Sequence, residues 1–176
     1  MNSLQWWNNI KNDDLLLADW LIKQYRGEVT AASRIRTLAL SKAKTEEQKR
    51  LLKIIASQEE IHAGWIFDLL NDRNLAAKAS INNSEDRYWS KTLPLASVSF
   101  ENAVAVGAHA EAMRLDRIKV IAEDDSAPKD IQKVFKKILA DELFHERTFR
   151  AMATEESLKE TSNAHNLGME LLGLTD

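Results

Sequence analysis

The chain has 176 residues, 44% hydrophobic and 29% charged, which suits one globular domain with a sizeable core and excludes intrinsic disorder. Its net charge of −3, with Lys and Arg interleaved among Asp and Glu, offers no electrostatic footprint for nucleic acid. The absence of cysteine excludes disulfides, thiolate zinc sites and iron–sulfur or rubredoxin-type centres, and five Gly and two Pro are too few for a turn-rich β fold.

Residues 1–12 lack the basic and apolar regions of a signal peptide, and no apolar run approaches the ~20 residues of a membrane span. A cytoplasmic, reducing location is expected. The first predicted helix starts where Asn12, Asp13 and Asp14 precede Leu15, Leu16 and Leu17, and it runs to about Lys42. Its inward face is Leu17, Leu21, Tyr25, Glu28, Ala32, Ile35 and Ala39, at three- and four-residue steps. A second helix follows at once, because Thr45 with Gln48 forms a capping box; its inward face carries Leu52, Ile55, Glu59, His62 and Ile66. So short a link makes the two an antiparallel hairpin.

From about residue 72 to 98 the periodicity dissolves. Asn82, Asn83, Ser84 and Pro94 read as breakers, and residues 85–89 form at most a short turn of helix within a long crossover. A third helix is predicted over about 100–123, with Val104, Gly107 or Ala108, Glu111, Leu115, Ile118 and Ala122 facing in. Asp124 to Pro128 closes it and opens a fourth, whose inward face is Val134, Phe135, Ile138, Glu142, His145, Phe149 and Met152. Thr154 caps a last helix, about 155–173, facing in through Leu158, Ser162, His165, Met169 and Leu172. The expected architecture is all-α: one domain over 1–176, with a four-helix core of two hairpins over about 13–153.

The two hairpins repeat one another. Glu28 to Glu59 and Glu111 to Glu142 are the same distance apart (59 − 28 and 142 − 111), and Glu59-x-x-His62 superposes on Glu142-x-x-His145. Residues three apart on a helix lie within ~60° of each other around the axis, so each Glu and His pair points to one side. All six residues fall within apolar stripes. A single Glu-x-x-His is common on solvated helix faces, but two copies, each with a partner Glu at matched spacing, are not a surface pattern.

Burying four carboxylates costs several kcal/mol for each unless something positive offsets them. Two divalent ions neutralise four carboxylates, and neutral imidazoles complete the coordination. Oxygen and nitrogen donors without sulfur suit iron, with manganese or a mixed pair served by the same set.

The pattern Glu28, Glu59-x-x-His62, Glu111, Glu142-x-x-His145 resembles the ferritin-like di-iron carboxylate superfamily. The strings Gly27-Glu28, Glu59-Glu60-Ile61-His62-Ala63 and Glu142-Leu143-Phe144-His145-Glu146-Arg147 look most like its rubrerythrin branch, over about residues 15–152. The resemblance implies that Glu59 and Glu142 bridge two metal ions, with Glu28 and His62 on one and Glu111 and His145 on the other. It also implies that Asp141 hydrogen-bonds a ligand histidine, with Gln58 at the equivalent place in the first half.

Without cysteine there is no rubredoxin module, so the electron donor is expected to be a separate protein. Ile35 and Ile118, two turns past the lone glutamates, carry no Tyr for a stable radical; Tyr25 lies one turn before Glu28. His109, about 200° around its helix from Glu111, is expected in solvent. Trp65, one turn past His62, reads as core filler, and Trp6, Trp7 and Trp20 as cover for an apolar face or a subunit contact. The expected function is a di-metal oxidoreductase using O2 or H2O2, in a homodimer without nucleic acid or membrane. The alternative is a ferroxidase that stores or transfers iron; a metal-free interaction module fits four buried carboxylates poorly.

Overall fold

The computed structural model describes residues 2–79 and 87–174, and among them every regular element is helical. The sequence pattern does not predict the first helix, α1 (Ser3–Lys11). Its capping box pairs Asn2 with Gln5, and its polar composition hides the one side chain that anchors it, the fully buried Trp7.

Helix α2 (Asp14–Arg34) starts as expected, with the Asp13 carboxylate accepting from the N–H groups of Leu15 and Leu16. It continues through one π turn (Ile35–Ala39) and a 3-10 turn (Leu40–Lys42). Thr45 then accepts from the Gln48 N–H while the Gln48 side chain accepts from Thr45, the capping box that opens α3 (Glu46–Asn71).

The crossover departs from expectation. It holds a 3-10 turn (Ala76–Lys78) and a full helix, α4 (Arg87–Ala96), with Pro94 inside its last turn. Tyr88, Thr92 and Ala96 form its buried stripe, and burial against α5 and α7 outweighs the hydrogen bond that Pro94 cannot make. Its length of ten residues and the proline inside it are what mask this helix in the sequence. The expected breakers Asn82, Asn83 and Ser84 lie outside the described residues.

Helices α5 (Phe100–Glu123), α6 (Lys129–Met152) and α7 (Glu155–Leu171) follow the predicted bounds closely. The inward face of α7 does not. Leu158, Ser162, His165 and Met169 are half-buried and Leu172 is exposed, while Ser157, Thr161, Ala164 and Gly168 form the buried line. Small side chains win because α7 lies close on α4: a Cβ at Gly168 would stand 2.6 Å from Tyr88 Cδ2.

The result is a ferritin-like bundle. The α2–α3 hairpin faces the α5–α6 hairpin, with α3 against α6, and α4 and α7 flank α5. Two apolar clusters fill the interior. One holds Leu21, Ile66, Ile118, Phe135 and Ile138, extended by Trp7 and Trp20; the other holds Ile35, Leu52, Ile55, Val104 and Phe149. Each such side chain contributes about 1.5–3 kcal/mol on burial. On every long helix the predicted site residue falls between a member of one cluster and a member of the other, which seals the centre from both ends.

Helix α1 pins the far end of the second hairpin. Trp7 Nε1 donates to Asp124 Oδ2 at 2.8 Å, and Lys11 Nζ reaches the same oxygen at 2.7 Å. Although burial pulls the other way, these bonds and those from Ser126 hold the Asp124 carboxyl well below the ordinary carboxylate range. The three early tryptophans pack tilted or edge-on against one another, and Trp20 tilts against Phe135, so they close one end of the core.

Candidate metal centre

The bundle brings all six predicted residues together. Glu59, His62, Glu142 and His145 are fully buried, Glu28 is 1% exposed and Glu111 5%. Their donor atoms fall into two groups, each within a span of 4.8 Å: Glu28, Glu59, His62 and Glu142, and Glu59, Glu111, Glu142 and His145. Glu59 and Glu142 belong to both groups, as the two-half repeat requires. His62 Nδ1 stands 3.7 Å from Glu142 Oε1 and 3.8 Å from Glu28 Oε2, and His145 Nδ1 stands 3.2 Å from Glu59 Oε1.

The outer face of the two imidazoles is fully engaged. His62 Nε2 lies 3.0 Å from Asp141 Oδ2, His145 Nε2 lies 3.0 Å from Gln58 Oε1, and Gln58 Nε2 donates to Asp141 Oδ1 at 2.8 Å. The supports are therefore crossed: α6 steadies the histidine of α3, and α3 that of α6. Both acceptors take an Nε2–H, which fixes the tautomer and leaves each Nδ1 lone pair facing the cluster.

Those inward atoms face ion-pair contacts but no hydrogen bond. Among the described residues, nine buried side-chain N or O atoms have no hydrogen-bond partner, and eight of them are here: Glu28 Oε2, both oxygens of Glu59 and of Glu142, Glu111 Oε2, and Nδ1 of both histidines. One such orphan costs about 1–3 kcal/mol, so eight converging on one volume need a ligand rather than a packing explanation. Each of these oxygen- and nitrogen-rich, sulfur-free groups of four could hold a metal ion.

The sequence reading misses one member. Arg114, three residues past Glu111, points its guanidinium into the cluster, with Nη2 at 2.5 Å from Glu28 Oε1 and 3.1 Å from Glu142 Oε1. Its spacing from Glu111 is the only sequence signal, and a lone Arg at the flank of an apolar stripe ordinarily reaches solvent.

The electrostatics divide the four carboxyls. Burial raises Glu59 well above the ordinary value, with Glu142 and Glu28 pushing the same way, and burial with Glu142 raises Glu111. Against burial, Arg114 holds Glu28 down at about 2 and, with the His145 contact, holds Glu142 well below the usual range. Glu142 and Glu111 likewise outweigh burial to raise His145.

Two other residues take different places from those expected, while a third, Trp65, packs against the core. His109 is half-buried against α7, its Nε2 3.1 Å from the Leu158 carbonyl oxygen and its ring stacked 4.8 Å from that of His165. The 200° rotation takes it away from Glu111, but α7 covers that side of α5. Tyr25 packs on Phe67 and, with Val29, Ala32, Ala63 and Arg36, lines a groove of about 550 Å³ on the outside of the first hairpin. Trp65 is half-buried, its ring 5.6 Å from His62 and under Lys137 Nζ.

The family model described as Rubrerythrin matches residues 19–153, a span from α2 to the end of α6 that includes all six residues and Arg114. Neither the curated proteins nor the solved structures include a match. Among the described residues, no helix is long and apolar enough to cross a membrane.

Proposed function

The chain belongs to the rubrerythrin family, and from that premise we propose that it is a di-metal oxidoreductase that reacts with O2 or H2O2 at the buried cluster. The observation that carries the reading is the set of eight unpartnered donor atoms in two groups that share Glu59 and Glu142. In this reading Glu28 with His62 would hold one ion, Glu111 with His145 would hold the other, and Glu59 and Glu142 would serve both. Bound iron, or manganese on the same donors, supplies the electrons that cleave an O–O bond.

The chain's own contribution is positional. The apolar clusters on either side exclude water, which strengthens every charge interaction at the centre. Asp141 and Gln58 hold the imidazole planes so that each Nδ1 stays aimed inward without a rotameric search.

The test starts with metal analysis of protein produced with iron and manganese supplied, where about two ions per chain are expected from the two ligand groups. Anaerobically reduced protein is then mixed with H2O2 or with O2 in a stopped-flow spectrometer, with a reductant present. Repeated turnover on either oxidant supports the oxidoreductase. A single oxidation followed by retention or release of ferric iron identifies a ferroxidase instead, and a chain that binds no metal overturns both.

A further inference from the structure

Among the described residues Arg114 is the one Lys or Arg side chain inside the cluster, and its contacts are unequal. Nη2 hydrogen-bonds Glu28 Oε1 at 2.5 Å and pairs with Glu142 Oε1 at 3.1 Å. Nη1 is farther from the others, 3.5 Å from Glu111 Oε2 and 3.7 Å from Glu59 Oε2. The Glu28 contact is a hydrogen bond and the Glu142 contact a close ion pair, while the other two are looser.

Mapped onto the two groups, this is an asymmetry. Glu28 and Glu142 both belong to the group with Glu59 and His62, whereas the group with Glu111 and His145 shares only Glu142 with the tight contacts. Guanidinium and metal ion are both cations that need the same carboxylate oxygens. At a separation of a few ångströms in a water-poor interior they also repel strongly. Four carboxylates are neutralised by two divalent ions; with Arg114 kept in place, the filled cluster would carry an excess positive charge.

The side chain also has a way out. It is 22% exposed, and it borders a small crevice lined by Trp6, Trp20, Gln24, Met113 and Arg117.

We propose that Arg114 is a built-in competitor for the Glu28–His62 position, so that the first ion binds the Glu59, Glu111, Glu142 and His145 group and the second enters only as Arg114 withdraws. The inference rests on the di-metal reading above. Until the second ion arrives, Arg114 supplies the positive charge that lets Glu28 and Glu142 stay buried and ionised. The two halves of the repeat, matched in their ligands, thereby differ in affinity because only α5 carries an Arg one turn past its Glu. The equivalent place on α2 is Ala31.

The experiment is a titration of chelator-stripped protein with Mn2+, followed by calorimetry and by the electron paramagnetic resonance of free Mn2+. Wild type should bind two ions in two steps, the second weaker by about tenfold or more. His62→Ala should abolish the weaker step and His145→Ala the tighter one. Arg114→Met should strengthen the weaker step by about tenfold or more and move the tighter one by less than about threefold. Arg114→Lys keeps the charge without the fork that spans two carboxylates, and it should fall between the two.

Thermal melts provide a readout independent of binding. Arg114→Met should lose stability in chelator and regain it with saturating Mn2+. Two ions bound equally by wild type and Arg114→Met, or either step weakened by that substitution, would overturn the competitor role while leaving the di-metal reading intact. If Arg114→Met fails to fold, an unaltered weak step in Arg114→Lys overturns it as well. Failure of every folded variant to bind Mn2+ overturns both.

Discussion

Replacing Glu59 by leucine should stabilise the metal-stripped protein and abolish its response to metal. Glu59 is fully buried, neither of its carboxyl oxygens has a hydrogen-bond partner, and Glu28 and Glu142 crowd it with like charge. An orphaned buried polar group costs about 1–3 kcal/mol, and replacing buried ionic groups by apolar ones of similar volume gains about 1–4 kcal/mol. Leucine has comparable volume and helix propensity, so the expected gain is about 2 kcal/mol. For a chain of this length that corresponds to roughly 4–8 °C in melting temperature. Excess Mn2+ reverses the order. At a hundredfold over its dissociation constant, one ion adds about 2.7 kcal/mol to wild type and nothing to the variant. Urea denaturation in chelator and in Mn2+ measures both effects. A variant less stable than wild type in chelator would show that the fold uses this carboxylate for itself, and the ligand argument would fall.

Three further outcomes follow from the surroundings of the site. Asp141→Ala should weaken metal binding by about 10–100-fold, because His62 loses the acceptor that orients it; unchanged affinity in a Mn2+ titration would remove Asp141 from that role. Gly168→Ala should destabilise by about 1 kcal/mol, since displacing the buried Tyr88 ring costs about 1–3 kcal/mol against roughly 1 kcal/mol gained in helix propensity; a higher melting temperature would refute the tight α4–α7 contact. Stability in chelator should also depend on His165, whose value is drawn down to about 4 by burial and by His109. Between the unfolded value of about 6.5 and about 4 the unfolded chain binds a proton that the folded chain does not, so this contribution is lost as pH falls through that window. His165→Gln should flatten the stability profile over that range in urea melts, and parallel profiles for the two proteins would sink the assignment.

The six donor residues and the helices that carry them were readable in the sequence because helical periodicity is local. A Glu and a His three residues apart share a face wherever the helix goes, and a carboxylate within an apolar stripe must meet others like it. The capping signals Asp13, Thr45 and Thr154 fixed helix starts for the same reason, each bonding N–H groups within its own first turn. Arg114 shows where that logic stops: its position one turn past Glu111 is visible, but a long flexible side chain can turn to water or to the core, and only the surrounding carboxylates decide. The crossed supports are of the same kind, since neither Gln58 nor Asp141 indicates in sequence which helix its partner lies on. Helix α4 was hidden by its short length and its internal Pro94, and the buried line of α7 because close packing there selects small and polar residues, Ser157, Thr161 and Gly168, over the apolar ones that periodicity detects. Sequence alone determined which residues face the centre. Tertiary structure decided what meets them there, because those contacts join residues about 80 positions apart whose approach is set by helix packing rather than by spacing along the chain.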